Sequence, residues 1–131
     1  MTKKLAFRLI FFFYLAVVLV LCFGNFKDTP SVTNSILGIP TDKIAHFCLF
    51  FPFPILAFMA FDSFTENWRT SLLFVIATFI AGIILALFTE WGQAHLTTWR
   101  NGDPNDFLAD IIALGLSSIL IFILDIRKQR K

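Results

Sequence analysis

Four apolar runs, each long enough to cross a bilayer, leave this 131-residue chain very few possible folds. They extend from about Leu5 to Phe23, Asp42 to Phe61, Ser71 to Trp91 and Pro104 to Leu124. A spanning helix needs about 20 mostly apolar residues. Within lipid every backbone amide must be bonded inside the protein, which favours helices for segments of this length. The expected fold class is all-α: a single domain forming an integral membrane bundle of four transmembrane helices. Composition agrees, with 57% hydrophobic residues, 18 Phe and only 15% charged residues. A soluble domain of this size has too little interior to hide so much apolar side chain.

The first run follows Lys3 and Lys4, as a signal peptide would. It is longer than a typical signal core, no A-x-A pattern follows, and Leu19, Val20 and Leu21 lack the small residue that lipoprotein processing at Cys22 requires. It is read as a retained span. Cys22 and Cys48 both lie in apolar runs and read as buried small side chains. They suggest neither a disulfide framework nor a zinc knuckle. A net charge of +2 is too small to imply nucleic-acid binding.

Positive-inside counting predicts that the N- and C-termini are cytoplasmic. The inner side then carries Lys3, Lys4, Arg8, Arg69, Arg127, Lys128, Arg130 and Lys131, against Lys27, Lys43 and Arg100 outside. The expected location is a multi-pass protein of the cell inner (cytoplasmic) membrane. This orientation brings three polar stretches to one level: TDKIAH opening the second helix, EWGQAH closing the third, and DPNDFLAD opening the fourth.

Helical spacing sharpens that convergence. Asp42 and His46 share a face, being four residues apart. Thr78, Gly82, Ala86 and Glu90 make a small-residue stripe ending in an acid, and Asp106, Asp110, Ala113 and Ser117 make a second. Such stripes let membrane helices approach closely, and they leave an oligomer open as well. Asp103 followed by Pro104 has the form of a helix N-cap, and Asp106 is explained by the helix dipole. Asp110 lies about 9 Å beyond the cap at about 1.5 Å per residue. An unpaired Asp at the bilayer centre costs on the order of 3 kcal/mol, so Asp110 needs Arg100, Lys43 or His46 as partner. Pro52 and Pro54 deprive the carbonyls of Cys48 and Phe50 of their helical donors, and a kink or a local opening is expected below His46.

These motifs resemble the VanZ-like family of membrane proteins. Asp42-Lys43-Ile44-Ala45-His46-Phe47 is similar to its DKxxHF signature, and Glu90-Trp91-Gly92-Gln93 to its ExxQ. Arg100 stands six residues before Asp106, and Asp106 to Asp110 follows a DxxAN pattern, with Asp110 where Asn is usual. The resemblance runs from about Thr41 to Ser118. Ala113 and Ser117 replace glycines, Phe50 replaces a common Tyr and Trp99 replaces the Gly before the Arg. It implies a protein of the bacterial cell envelope, in a family whose founding member is associated with low-level resistance to the glycopeptide antibiotic teicoplanin.

Three functional readings follow. In the first, the outer polar group binds, or binds and modifies, an envelope lipid or lipid-linked wall precursor, since ionisable groups inside membranes serve function by default. His46, Asp42 and Glu90 are then the candidate acid–base residues. Lys43, Gln93, Arg100, Asp106 and Asp110 are the candidate ligand-binding residues, with Lys43 and Arg100 holding phosphate or carboxylate. In the second, the same residues form a closed salt-bridge network that fastens helix ends, without enzymatic activity. The third is a metal site drawn from His46, Asp42, Glu90, His95 and Asp110. No HExxH or other paired-His motif is present, so no metal or cofactor is assigned, and His95 reads as an interfacial polar residue. Transport fits poorly, because four short spans leave little room for a pathway.

Overall fold

The computed structural model describes residues 2–25, 35–62 and 65–131. Lys27, counted above among the outer cations, lies outside the described residues. The elements are α1 (Lys3–Phe23), β1 (Ser35–Ile36), β2 (Ile39–Pro40), α2 (Thr41–Phe50), α3 (Pro52–Phe61), α4 (Trp68–Leu96) and α5 (Pro104–Gln129). With α2 and α3 taken as one span, four helical segments of 21, 21, 29 and 26 residues are apolar and long enough to cross a membrane. Twenty-one residues reach about 31 Å at the helical rise, close to the thickness of a hydrocarbon core.

The third and fourth spans are longer than their apolar runs suggest. A capping box starts α4: Asn67 Oδ1 accepts from the amides of Arg69 and Thr70, and Thr70 Oγ1 accepts from the Asn67 amide. Asp103 caps α5 as expected, accepting from the Asn105 amide at 2.9 Å, with Pro104 in the first turn. At its far end α5 continues to Gln129, carrying Asp125 inside the bundle. The loop before α2 holds a small hairpin, with Ser35 opposite Pro40 and Ile36 opposite Ile39. Its turn, Leu37-Gly38, has φ of 52° and 80°, the left-handed pair that suits a two-residue hairpin.

The second span is interrupted only at Phe51, which keeps right-handed helical angles and donates to the Phe47 carbonyl at 3.0 Å. The expected proline break is therefore local. Beside it, the hydroxyl of Tyr14, the chain's single tyrosine, donates to the Leu49 carbonyl. Tyr14 thereby ties α1 to the disturbed turn.

The helices bury their small faces against one another. Gly82 of α4 faces Leu114 of α5 and Ala86 is buried a turn away, while on α5 Asp106, Asp110, Ala113, Leu114 and Ser117 are all buried. Phe11 of α1 packs on Phe53 and Phe61 of α3, at ring-centroid distances of 5.6 and 5.8 Å. Cys22 is buried as expected, but Cys48 is exposed on the bundle surface. It stands two residues from both His46 and Phe50, which face inward, so the helix turns it outward.

The opposite end of the bundle has its own polar contacts. Asp62 pairs with Lys4 and, at 3.8 Å, with Lys128. Ser71 Oγ donates to buried Asp125 at 2.5 Å, and Gln129 donates to the same carboxylate. Arg8 donates to the Ala60 carbonyl and lies over the Phe61 ring.

The α4–α5 crossing can be tested with two glycines. A methyl group on Gly82 would lie 2.5 Å from Leu114 Cδ2, whereas one on Gly115 meets only Phe79, at 3.9 Å. Alanine gains about 1 kcal/mol of helix propensity over glycine, and overpacking a tight site costs about 1–3 kcal/mol. Gly82→Ala should lower the unfolding temperature in detergent, while Gly115→Ala should leave it unchanged or raise it. Equal effects of the two substitutions would contradict the close crossing.

Candidate functional site

The three polar stretches meet at one end of the bundle, where α1 and α4 end and α2 and α5 begin. Lys43 stands at the centre of one group. Its Nζ contacts Asp42 at 2.8 Å, Asp103 at 2.5 Å and also Asp106. Three carboxylates thus occupy the ammonium's three donors. Asp42 remains outermost, its side chain 56% exposed.

One helical turn deeper lies His46, buried. Its Nδ1 is 3.0 Å from Asp110 Oδ1 and 3.8 Å from Glu90 Oε1, and its Nε2 is 3.5 Å from Asp106 Oδ2. Asp110, with no exposed surface, thus has the partner its depth requires, and of the three candidates that partner is His46. Glu90 Oε2 accepts from the Asp103 amide at 3.0 Å. Glu90 Oε1 and Asp110 Oδ2 are buried without a hydrogen-bond partner. Five carboxylates thus gather around one ammonium and one imidazole.

The structure assembles all eight candidate residues at this end but divides their tasks. Asp42, a turn from His46 along α2, pairs with Lys43, and the carboxylate within hydrogen-bond distance of His46 is Asp110. Asp106 does more than complement the helix dipole, for it is buried and faces both Lys43 and His46. Lys43 is fully engaged by acids. At this end of the bundle, Arg100 has no carboxylate within ion-pair distance among the described residues.

Gln93 and Arg100 both close the end of α1. The last turn of a helix leaves carbonyls without helical donors. Here Gln93 donates to the Cys22 carbonyl at 2.9 Å, Arg100 to Leu21 at 3.2 Å and Trp99 to Phe23 at 3.1 Å. The positive guanidinium also suits the negative end of the helix dipole. Tyr14 was not singled out by the sequence, and Trp99 was noted only as the residue before Arg100. A lone tyrosine in an apolar span was the available signal, since a phenol in lipid needs a partner. His95 lies on the surface, stacked on Trp91 and bonded to its carbonyl, in keeping with an interfacial residue.

A cavity of about 260 Å³ opens beside this cluster. Asp42, His46, Gln93 and Arg100 share its wall with Leu21, Ala45 and Leu49. On the other side of α2 a larger groove, about 650 Å³, runs between Phe47 and Ile44 and the α5 residues Leu108 and Ile112, with Lys43 at its polar edge. Fold and site together define a four-span, multi-pass membrane protein with a buried His–carboxylate cluster at one end. Compared with protein-family models, curated proteins and solved structures, the chain matches none.

Asp103 lies outside the spans, and the Lys43 ammonium beside it holds its carboxyl below the usual carboxylate range, helped by the Asn105 amide. A depressed carboxylate contributes stability above its unfolded pKa, near 4, and loses it as pH falls through the lower folded value. Asp103→Asn keeps a capping oxygen but removes the charge. The variant should be less stable than wild type at neutral pH, and the gap should close below about pH 4. Thermal unfolding between pH 7 and pH 2 measures this, and a gap independent of pH would refute the ion pair.

Proposed function

We propose that this is a VanZ-like protein of the bacterial cytoplasmic membrane. In this reading both termini are cytoplasmic and the His46 end lies at the outer leaflet, where it binds the polar head of an envelope lipid or lipid-linked wall precursor. A link to glycopeptide (teicoplanin) resistance belongs to the same proposal. The observation that carries the reading is the cavity wall, lined by both polar and apolar side chains, at the end of a membrane bundle. That lining suits an amphiphile entering from the bilayer.

Within it, Arg100 is the group suited to a phosphate or carboxylate, because its guanidinium is bonded only to a carbonyl among the described residues. Lys43, surrounded by three acids, serves to hold α2 against α5. His46 presents an imidazole to the cavity and Asp110 fixes its ring, an arrangement able to hold a proton near a bound head group. Binding requires no bond to be made or broken.

The alternative, a non-enzymatic fastening network, is favoured by Lys43 saturation and by the use of Gln93 and Arg100 to finish α1. Lipid and wall-precursor profiles distinguish the two. A deletion strain complemented with wild type should differ from one complemented with His46→Asn, a variant that keeps a side-chain donor for Asp110 and so should keep its expression and unfolding temperature. Identical profiles would sink the binding proposal. Changed profiles explained entirely by loss of protein would support fastening. Orientation has its own test: a cysteine at Asn101 should react with a membrane-impermeant maleimide in intact spheroplasts, and one at Gln129 should not. The reverse pattern would invert the proposed topology.

A further inference from the structure

We infer that His46, Glu90 and Asp110 form a binding site for one divalent transition-metal ion. Each offers a ligand atom within 4.8 Å of the others, and each comes from a different helix: α2, α4 and α5. The inference does not depend on which lipid the neighbouring cavity receives.

Geometry comes first. Ligands about 2.1 Å from a zinc ion lie about 3.0–3.4 Å apart, depending on coordination geometry. His46 Nδ1 is 3.0 Å from Asp110 Oδ1 and 3.8 Å from Glu90 Oε1, so small side-chain rotations bring the three atoms around one centre. Binding through Nδ1 leaves the remaining ring proton on Nε2, which faces Asp106 Oδ2 at 3.5 Å. A carboxylate on the far nitrogen is the usual means of orienting a metal-bound histidine. Lys43 in turn holds Asp106.

Unpartnered atoms point the same way. Asp110 is wholly buried and its Oδ2 has no hydrogen bond, while Glu90 Oε1, also without one, lies opposite His46 Nδ1. Buried carboxylate oxygens are costly unless paired or coordinating a metal.

The adjoining acidic group supplies a comparison within the molecule. Asp42, Asp103 and Asp106 could also converge on an ion, but the Lys43 ammonium already contacts all three. No lysine or arginine occupies the corresponding position among His46, Glu90 and Asp110 in the described residues. One imidazole with two carboxylates suits zinc or manganese better than calcium or magnesium, which prefer oxygen ligands throughout. Three protein ligands also leave a coordination position free, and His46 lines the cavity that Arg100 borders.

The full chain, purified in detergent and treated with chelator, should be titrated with zinc, manganese and magnesium chlorides and followed by calorimetry and thermal unfolding. Zinc or manganese should bind at about one equivalent and raise the unfolding temperature, as a ligand selective for the folded state does. Glu90→Gln keeps an oxygen for the Asp103 amide and should fold, yet bind at least tenfold more weakly. His46→Asn, which keeps a donor for Asp110, should do likewise, whereas Asp125→Asn at the opposite end should bind as wild type. Failure of the wild type to take up either metal near one equivalent would overturn the inference. So would Glu90→Gln with wild-type affinity, or an equal loss in Asp42→Asn, which would place the ion in the Lys43 group. The titration contains no lipid ligand, so its outcome is independent of the lipid profiles of His46→Asn.

Discussion

The arrangement depends on the contact between Asp110 and His46, a wholly buried carboxylate of α5 and a buried imidazole of α2. A carboxylate two turns inside a lipid-spanning helix cannot stand alone. Satisfying it fixes how deep α2 sits against α5 and which face it turns inward. Lys43, one turn outward, adds acids from the same two helices and Glu90 approaches from α4. The close approach of α4 and α5 at Gly82 and Leu114 brings these groups within reach of one another. Apolar packing between the helices would by itself tolerate sliding. The polar cluster sets the register.

Much of this was legible in the sequence because two strong rules operate on such chains. Lipid admits few backbone solutions for an apolar run of 20 residues, so the four spans followed directly. The cost of intramembrane charge marked Asp110 as needing a partner before any partner was known. Pairing was harder to see. Asp42 and His46 lie four apart and invite association, yet Lys43, adjacent to Asp42, takes that acid, and Asp110 reaches His46 from 64 residues away. Spacing along one helix says which residues share a face; it does not say what the facing helix presents.

Other features were hidden for related reasons. Asp125 follows directly on the last apolar run, yet α5 carries it inside to Ser71. Tyr14 and Trp99 act through single hydrogen bonds to carbonyls, which no pattern of side chains announces. Cys48 shared its apolar run with buried neighbours but falls on the lipid-facing side of the helix. The two ends of the bundle also differ in kind. The Asp62 end joins α1, α3 and α5 through ion pairs with exposed lysines. The His46 end gathers more acids than its cations can balance.

The closure of α1 by Gln93, Trp99 and Arg100 has a consequence for how the chain is made. Those residues follow the carbonyls they satisfy by 71, 76 and 79 positions. During synthesis α1 is made well before α4 and emerges with its last turn unfinished. Water at the bilayer surface must serve those carbonyls until α4 and the loop beyond it have arrived. Completion of α1 thus waits on segments made well after it, so α1 reaches its final place only as α4 and the loop beyond it assemble around it.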